Sequence, residues 1–396
     1  SLDLAADIAA RCRDQKTLTL ILDLRRKINL PLTRRTFAVL AERCAAHGKP
    51  DRAVRFFLNL HLHGCPQDLN TFNTLLDVLA KSRRVEKASG LLRALRGRFR
   101  ADTVSYNIIA DGWCRVKKTA KAMEVMKEMV EMGLEPSLNT YNILLKGFFR
   151  AGQVREGWDF FVQMKKRGRK GGDCCRPDVV SYTTVVHGLG IDGQIDRARK
   201  VFDEMIGEGV LPSVATYNAL IQVICKKGCV ENAVLVFDEM VRKGYTPNVI
   251  TYNLLIRGLS HTGKMDRAVE FLERMKLEGC EPNVQTFNVL IRYWFEEGEI
   301  ERGLELFETM GKKGRCLPNL DTYNTVISAM FARKRPEDMV VAGKMVVEMV
   351  ERGHLPRRFM FNRVLNGLLL TGNQSFAKEL FRMQDRFGRL RKEFRL

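Results

Sequence analysis

One short phrase recurs along this chain at a nearly constant interval. It reads Thr71-Phe72-Asn73, Ser105-Tyr106-Asn107, Thr140-Tyr141-Asn142, Ser181-Tyr182-Thr183 and Thr216-Tyr217-Asn218. It continues as Thr251-Tyr252-Asn253, Thr286-Phe287-Asn288 and Thr322-Tyr323-Asn324, with weaker copies at Thr36-Phe37-Ala38 and Met360-Phe361-Asn362. Most intervals are 34 to 36 residues. A second phrase follows at fixed offset, as in Val201-Phe202-Asp203-Glu204-Met205 and Val236-Phe237-Asp238-Glu239-Met240. A third closes the period: Gly209 to Pro212, Gly244 to Pro247, Gly279 to Pro282. Self-similarity at this period is the mark of a stacked repeat array.

Each repeat reads as two helices. In 249–283, Tyr252, Leu255, Ile256 and Leu259 form one apolar helical face, and Gly263 ends it. Ala268, Phe271, Leu272 and Met275 form the second, which Gly279 and Pro282 stop. Two helices cannot bury both faces alone, so neighbours must stack. That replaces the two or three globular domains that 396 residues would otherwise suggest. The repeats are set at 34–68, 69–102, 103–137, 138–178, 179–213, 214–248, 249–283, 284–319, 320–357 and 358–392. Residues 1–33 read as a degenerate capping repeat closed by Pro31, and 393–396 as a short tail. The run Arg167-Gly168-Arg169-Lys170-Gly171-Gly172-Asp173 lengthens the fourth repeat and reads as a mobile basic loop.

The formal net charge of +20 points to a polyanionic partner, nucleic acid or an anionic membrane. No run of 18 apolar residues exists, so no transmembrane helix is expected. Ten cysteines scatter without a disulfide framework or a Cys-x-x-Cys pair, which fits a reducing compartment. His61, His63 and Cys65 could touch a metal, but they lack a partner pair, and neither metal nor cofactor is expected. The chain begins at Ser1 and reads as mature or trimmed, with any targeting peptide outside it.

The tetratricopeptide pattern does not fit, because Trp113, Trp158 and Trp294 share no such register. The order Thr-Tyr-Asn, Gly-Leu or Gly-Phe, Phe-Asp-Glu-Met, Gly-x-x-Pro resembles the pentatricopeptide repeat (PPR) family, with the near-standard repeat lengths of its P class. That class is abundant in land-plant mitochondria and plastids. The resemblance implies an all-α, right-handed α-solenoid of about ten helix-turn-helix repeats, first helices lining an inner groove and second helices outside.

It also implies single-stranded RNA as partner, read one base per repeat by the fifth and last residues of each. Repeats two to eight offer Asn73/Asp102, Asn107/Ser137, Asn142/Asp178, Thr183/Ser213, Asn218/Asn248, Asn253/Asn283 and Asn288/Asn319. An amide can donate to and accept from a base edge; a neighbouring carboxylate only accepts, which suits the uracil imino group, while Ser or Asn can donate to the bare cytosine nitrogen. The family's code then gives U, C, U, a purine with A favoured, and three pyrimidines, 5′ to 3′. A structural alternative makes these Asn residues helix N-caps.

Second positions wedge between bases in this family. Val104, Val180 and Ile250 match and Ala215 matches weakly, whereas Asn70, Asn139, Gln285 and Asp321 depart. Thirteenth positions lie near the RNA backbone. Lys81, Arg115, Arg150 and Lys226 fit, His261 fits in part, and Glu296 departs. Four neutralised phosphates would give a log-affinity against log-salt slope near −3, at roughly −0.7 per contact. Arg357 and Lys392 close repeats nine and ten outside the code. The basic end, Arg386, Arg389, Arg391, Lys392 and Arg395, is a candidate contact surface.

No deaminase signature (His-x-Glu with Cys-x-x-Cys) and no Walker loop occurs, and the short tail leaves no room for a nuclease, so the chain reads as a binding protein rather than an enzyme. P-class members similar to this one commonly support group II intron splicing, often of mitochondrial complex I transcripts. Segments Ser375–Leu396 and Phe331–Val350 resemble that subgroup. The sequence-level function is therefore binding of a mitochondrial, or else chloroplast, transcript alongside other splicing factors or ribonucleoprotein components. Its rivals are RNA end stabilisation or translational activation, and a scaffold subunit of a mitochondrial ribosome.

Overall fold

The computed structural model describes residues 5, 7–9, 15–28, 31–169, 175–312, 316–333 and 335–393, and all regular structure among them is helical. They group into two compact units, one ending at Leu211 and one beginning at Pro212. The first holds Gln15–Lys27 and then the pairs Arg34–Ala46 with Pro50–Leu58, Leu69–Lys81 with Val85–Leu95, and Thr103–Arg115 with Thr119–Glu131. Leu138–Ala151 with Val154–Arg169 and Val179–Ile191 with Ile195–Gly207 complete it. The second holds Val214–Lys226 with Val230–Arg242, Val249–His261 with Met265–Leu277, and Val284–Glu296 with Ile300–Lys312. Leu320–Arg333 with Pro336–Glu351 and Arg358–Leu370 with Gln374–Glu393 follow.

The recurring phrase sits at the start of every first helix, and its threonine or serine explains why the helix begins there. Asp68, Asp102, Ser137, Asp178, Ser213, Asn248 and Asn283 are N-caps in extended conformation. Each cap side chain accepts from the backbone N–H three residues on, and the hydroxyl at that residue accepts the cap's own N–H. Two otherwise orphaned backbone donors are satisfied reciprocally. The second helices ending at Glu131, Gly207, Arg242, Leu277 and Glu351 are each followed by a left-handed glycine. Gly244 has φ 82°, and Tyr245 N–H then closes onto the Met240 carbonyl at 3.1 Å.

The phrase's aromatic residue is the core of each repeat. Tyr106, Tyr182, Tyr217, Tyr252 and Tyr323 are fully buried, as is Phe72. The second-helix phenylalanines meet them: Phe237 lies edge-on to Tyr252 at 5.5 Å, and Phe307 to Tyr323 at 5.6 Å. Burial of each such ring contributes roughly 2–3 kcal/mol.

Within each unit, a first helix packs on its own second helix and on the first helix of the next repeat. A glycine at the tenth position of the repeat permits that close approach. A Cβ at Gly147 would lie 2.2 Å from Cys114 Sγ, and one at Gly188 2.1 Å from the Phe149 ring. Gly258 meets Cys225 at 2.7 Å in the same way, so residue twelve of one repeat fills the notch of the next. At the N-terminal side, Ala9 and Ile21 pack against Leu40, and Asp7 pairs with Arg43 at 3.4 Å.

Arg167, Gly168 and Arg169, expected to open a mobile basic loop, instead complete the helix Val154–Arg169; the rest of that expected loop, residues 170–173, lies outside the described residues. So do the side chains of Arg386, Arg389, Arg391 and Lys392 on the last helix, and Arg395 altogether.

Candidate nucleic-acid interface

The fifth-position residues lie one turn inside their helices, beyond the capping box, so they are not the N-caps. The caps are the closing residues of the preceding repeats. The proposed coding pair is therefore an amide inside one helix beside the cap of the next.

Four repeats bring the pair together through three side chains. Asn73 Nδ2 donates to Asp102 Oδ1 at 3.3 Å, and Ser105 Oγ donates to Asn73 Oδ1 at 2.7 Å. Asn142 Nδ2 donates to Asp178 Oδ1 at 3.1 Å, with Ser181 Oγ on Asn142 Oδ1 at 2.6 Å. Asn253 Nδ2 reaches Asn283 Oδ1 at 3.3 Å, with Thr286 Oγ1 on Asn253 Oδ1 at 2.6 Å. Asn288 Nδ2 reaches Asn319 Oδ1 at 3.4 Å, with Thr322 Oγ1 on Asn288 Oδ1 at 2.6 Å.

Two repeats differ. Asn218 Nδ2 donates to Asn248 Oδ1 at 3.3 Å, but Asn218 Oδ1 is buried without a partner. Asn107 Oδ1 is likewise unpartnered, and Asn107 makes no hydrogen bond to Ser137 among the described residues. Thr183 turns its hydroxyl back onto the Val179 carbonyl at 2.7 Å, while Ser213 caps the helix that starts the second unit.

Burial at Asp102 pushes its carboxyl up, but hydrogen bonds from the Ser105 N–H and hydroxyl and from Asn73 outweigh it. The net pKa lies below the ordinary carboxylate value, so Asp102 is an acceptor at neutral pH.

One turn before each amide, the second-position side chains stand exposed. Val104, Val180 and Ile250 are 53%, 56% and 60% exposed. Ala215 is also exposed, as are Asn70, Asn139, Gln285 and Asp321. An aliphatic side chain left this open by its own core is available to a flat apolar ligand face.

The basic positions divide. Lys81 pairs with Asp77 at 2.6 Å and Arg115 with Asp111 at 2.5 Å, each one turn earlier on the same helix. Arg150 and Lys226 are exposed and have no acidic partner among the described residues. Sequence reasoning passed over Asp77 and Asp111, although the i to i+4 spacing signals the pairing. It also gave no role to the Ser or Thr that opens the recurring phrase.

His63 lies 5.5 Å from the Phe56 ring, and no group of His, Cys, Asp or Glu that could hold a metal occurs among the described residues. No described helix is long and apolar enough to cross a membrane.

A scan of family profiles matches the PPR repeat family over residues 101–150, 138–171, 177–221, 212–261, 247–293 and 283–332, and a PPR repeat over 70–98. Those matches cover more than half of the chain. The chain belongs to the pentatricopeptide repeat family. A mitochondrial pentatricopeptide repeat-containing protein of Arabidopsis thaliana is 63% identical over 397 residues, spanning 100% of this chain and 81% of the relative. A chloroplastic PPR protein of the same plant is 29% identical over 140 residues, 35% of this chain and 17% of the relative. Among solved structures, the pentatricopeptide repeat protein PPR10 in complex with an 18-nt psaJ RNA element matches with a TM-score of 0.50. That match has 24% identity and covers 98% of this chain and 63% of the solved one. At this identity the likeness concerns the fold.

Proposed function

We infer that this PPR protein binds a single-stranded organellar RNA, one base per repeat, along the row of second- and fifth-position side chains on its first helices. One observation carries the reading. Asn73, Asn107, Asn218, Asn253 and Asn288 recur as amides 7–8% exposed, each one turn beyond an exposed second-position residue. An exposed wedge beside an amide with donor and acceptor to spare is what recognition of an unstacked base needs. The solved PPR10 complex contains RNA, which supports extending the chemistry to this chain.

The site is 5′-UCUAYYY-3′ for repeats two to eight, with Y a pyrimidine. The amides, caps, wedges and basic residues named above are its contacts, and the chain is P class. Mitochondria are the favoured compartment, in keeping with the name of the 63% identical relative. No catalytic constellation is invoked, and the protein acts by occupying RNA. Holding an intron segment single-stranded, or blocking a competing fold, is sufficient to assist group II intron splicing.

Depletion of the protein tests that role. Accumulation of an unspliced precursor with intact ends supports splicing. Loss of a discrete transcript end points instead to end protection. Normal transcripts with depleted ribosomal small subunits point to a scaffold.

A further inference from the structure

The hydroxyl that opens the recurring phrase has two neighbours. In the capping box it serves its own helix. It also reaches back to the amide of the preceding repeat: Ser105 to Asn73, Ser181 to Asn142, Thr286 to Asn253 and Thr322 to Asn288, at 2.6–2.7 Å. We propose that these four hydroxyls are positioning residues for base choice, each fixing which atom of the preceding repeat's amide faces the RNA. This rests on the RNA-reading function inferred above.

The argument is one of proton counting. A hydroxyl has one proton. Ser105 Oγ lies 2.7 Å from Asn73 Oδ1 and 2.9 Å from Asp102 Oδ1. Asp102 Oδ1 already accepts the Ser105 backbone N–H at 2.8 Å and Asn73 Nδ2 at 3.3 Å. The shorter contact, to an oxygen with no other donor, takes the proton. The amide is then held at both ends, Nδ2 by the cap oxygen and Oδ1 by the hydroxyl. A flipped amide would press Oδ1 against the cap oxygen, two acceptors with no proton between them. That cap oxygen cannot turn away, because the backbone N–H three residues on pins it: Ser105 to Asp102, Thr286 to Asn283 at 3.1 Å. In repeats two, four and seven one N–H and one lone pair of the amide are left, in a set orientation, for a base; in repeat eight Asn288 Nδ2 also faces Asp321 Oδ2 at 3.5 Å.

The molecule contains its own control. Repeats six and seven carry the same pair, Asn218/Asn248 and Asn253/Asn283. In repeat seven Thr286 clamps the amide oxygen. In repeat six the Thr251 hydroxyl goes to Asn248 Oδ1 at 3.1 Å, and Asn218 Oδ1 stays unpartnered. In repeat three, Thr140 pairs with Ser137 at 3.2 Å and Asn107 Oδ1 is unpartnered too. Identical coding letters thus sit in unequal clamps, and repeat seven selects its base more sharply than repeat six.

The experiment titrates the purified chain with 5′-UCUAYYY-3′ RNAs that carry a purine at the fifth or at the sixth nucleotide. The unmodified protein is expected to discriminate at the sixth more strongly than at the fifth, by roughly two- to tenfold, the range of one hydrogen bond. Ser105→Ala is expected to lower discrimination at the first nucleotide by a similar factor and leave the second unchanged. Ser105→Thr restores it. Thr140→Ala removes an equivalent capping hydroxyl that touches no fifth-position amide, and should lower thermal stability as Ser105→Ala does without changing selectivity at the first nucleotide. Equal discrimination at the fifth and sixth nucleotides, or unchanged first-nucleotide selectivity in Ser105→Ala, overturns the proposal. Absence of any base preference in the unmodified protein overturns the RNA-reading function itself, and this inference with it.

Discussion

Asp102 caps the helix Thr103–Arg115 and, on the proposed reading, also selects uracil for repeat two. Its carboxyl pKa is held below the ordinary value of about 3.9. A depressed folded-state pKa contributes stability that is present above the unfolded value and lost as pH falls through the folded one. Asp102→Asn keeps a capping oxygen. Acid unfolding followed by circular dichroism should therefore show less pH dependence below about pH 4 in the variant, with near-equal stability at neutral pH. The same substitution turns an acceptor into a group that can donate. Preference at the first nucleotide should move from U toward C, by roughly fivefold in the affinity ratio for one exchanged hydrogen bond. The proposed coding residues are named by period and position alone. The hydroxyl contacts were not legible in the sequence, since Ser105 and Asn73 are 32 residues apart and only packing brings them within 2.7 Å. The same limit hid the difference between Thr251 and Thr286, which read identically in sequence.

At the scale of the element, stops were readable because a glycine after a helix is local chemistry, whereas the caps were misplaced: the oxygen before each helix belongs to the closing residue, and the hydroxyl three residues in completes the box. The notch at the tenth position was not readable. Gly147 and Gly90 are both helix-interior glycines, yet a Cβ at Gly147 would meet Cys114 Sγ at 2.2 Å and one at Gly90 would meet nothing within 4 Å. Alanine gains about 1 kcal/mol over glycine in a helix interior. Gly90→Ala should therefore stabilise the protein by roughly 0.5–1 kcal/mol. Gly147→Ala should destabilise it by about 1–2 kcal/mol net, because the overlap with Cys114 exceeds that gain. Denaturant titrations of the two variants check both signs. Burial also pushes the thiol pKa of Cys114 and Cys225 up to about 12, which keeps both thiols protonated at neutral pH.

For the whole molecule, the charge of +20 announces a polyanion but overstates the cations free to meet it. Counting basic thirteenth positions gives four phosphate contacts, whereas Asp77 and Asp111 already hold Lys81 and Arg115. With Arg150 and Lys226 alone, log affinity should fall with log salt at a slope of about −1.4 rather than −3. The double variant Asp77→Asn, Asp111→Asn should steepen the slope by about the same amount again, as binding titrations across salt concentrations would show. The all-helical repeat fold was legible because a two-helix period must stack to bury its faces. Ion pairing was legible only in part, since spacing names the partners and not their geometry. The central claim is that consecutive first helices read consecutive bases. Selection from a randomised single-stranded RNA pool, at physiological salt, tests it most directly. The account predicts enrichment of a seven-nucleotide core matching UCU, a purine and three pyrimidines, with preference lost at the second position when Asn107 and Ser137 are changed together. A pool that returns no shared core, or a core that the double change leaves intact, would contradict it.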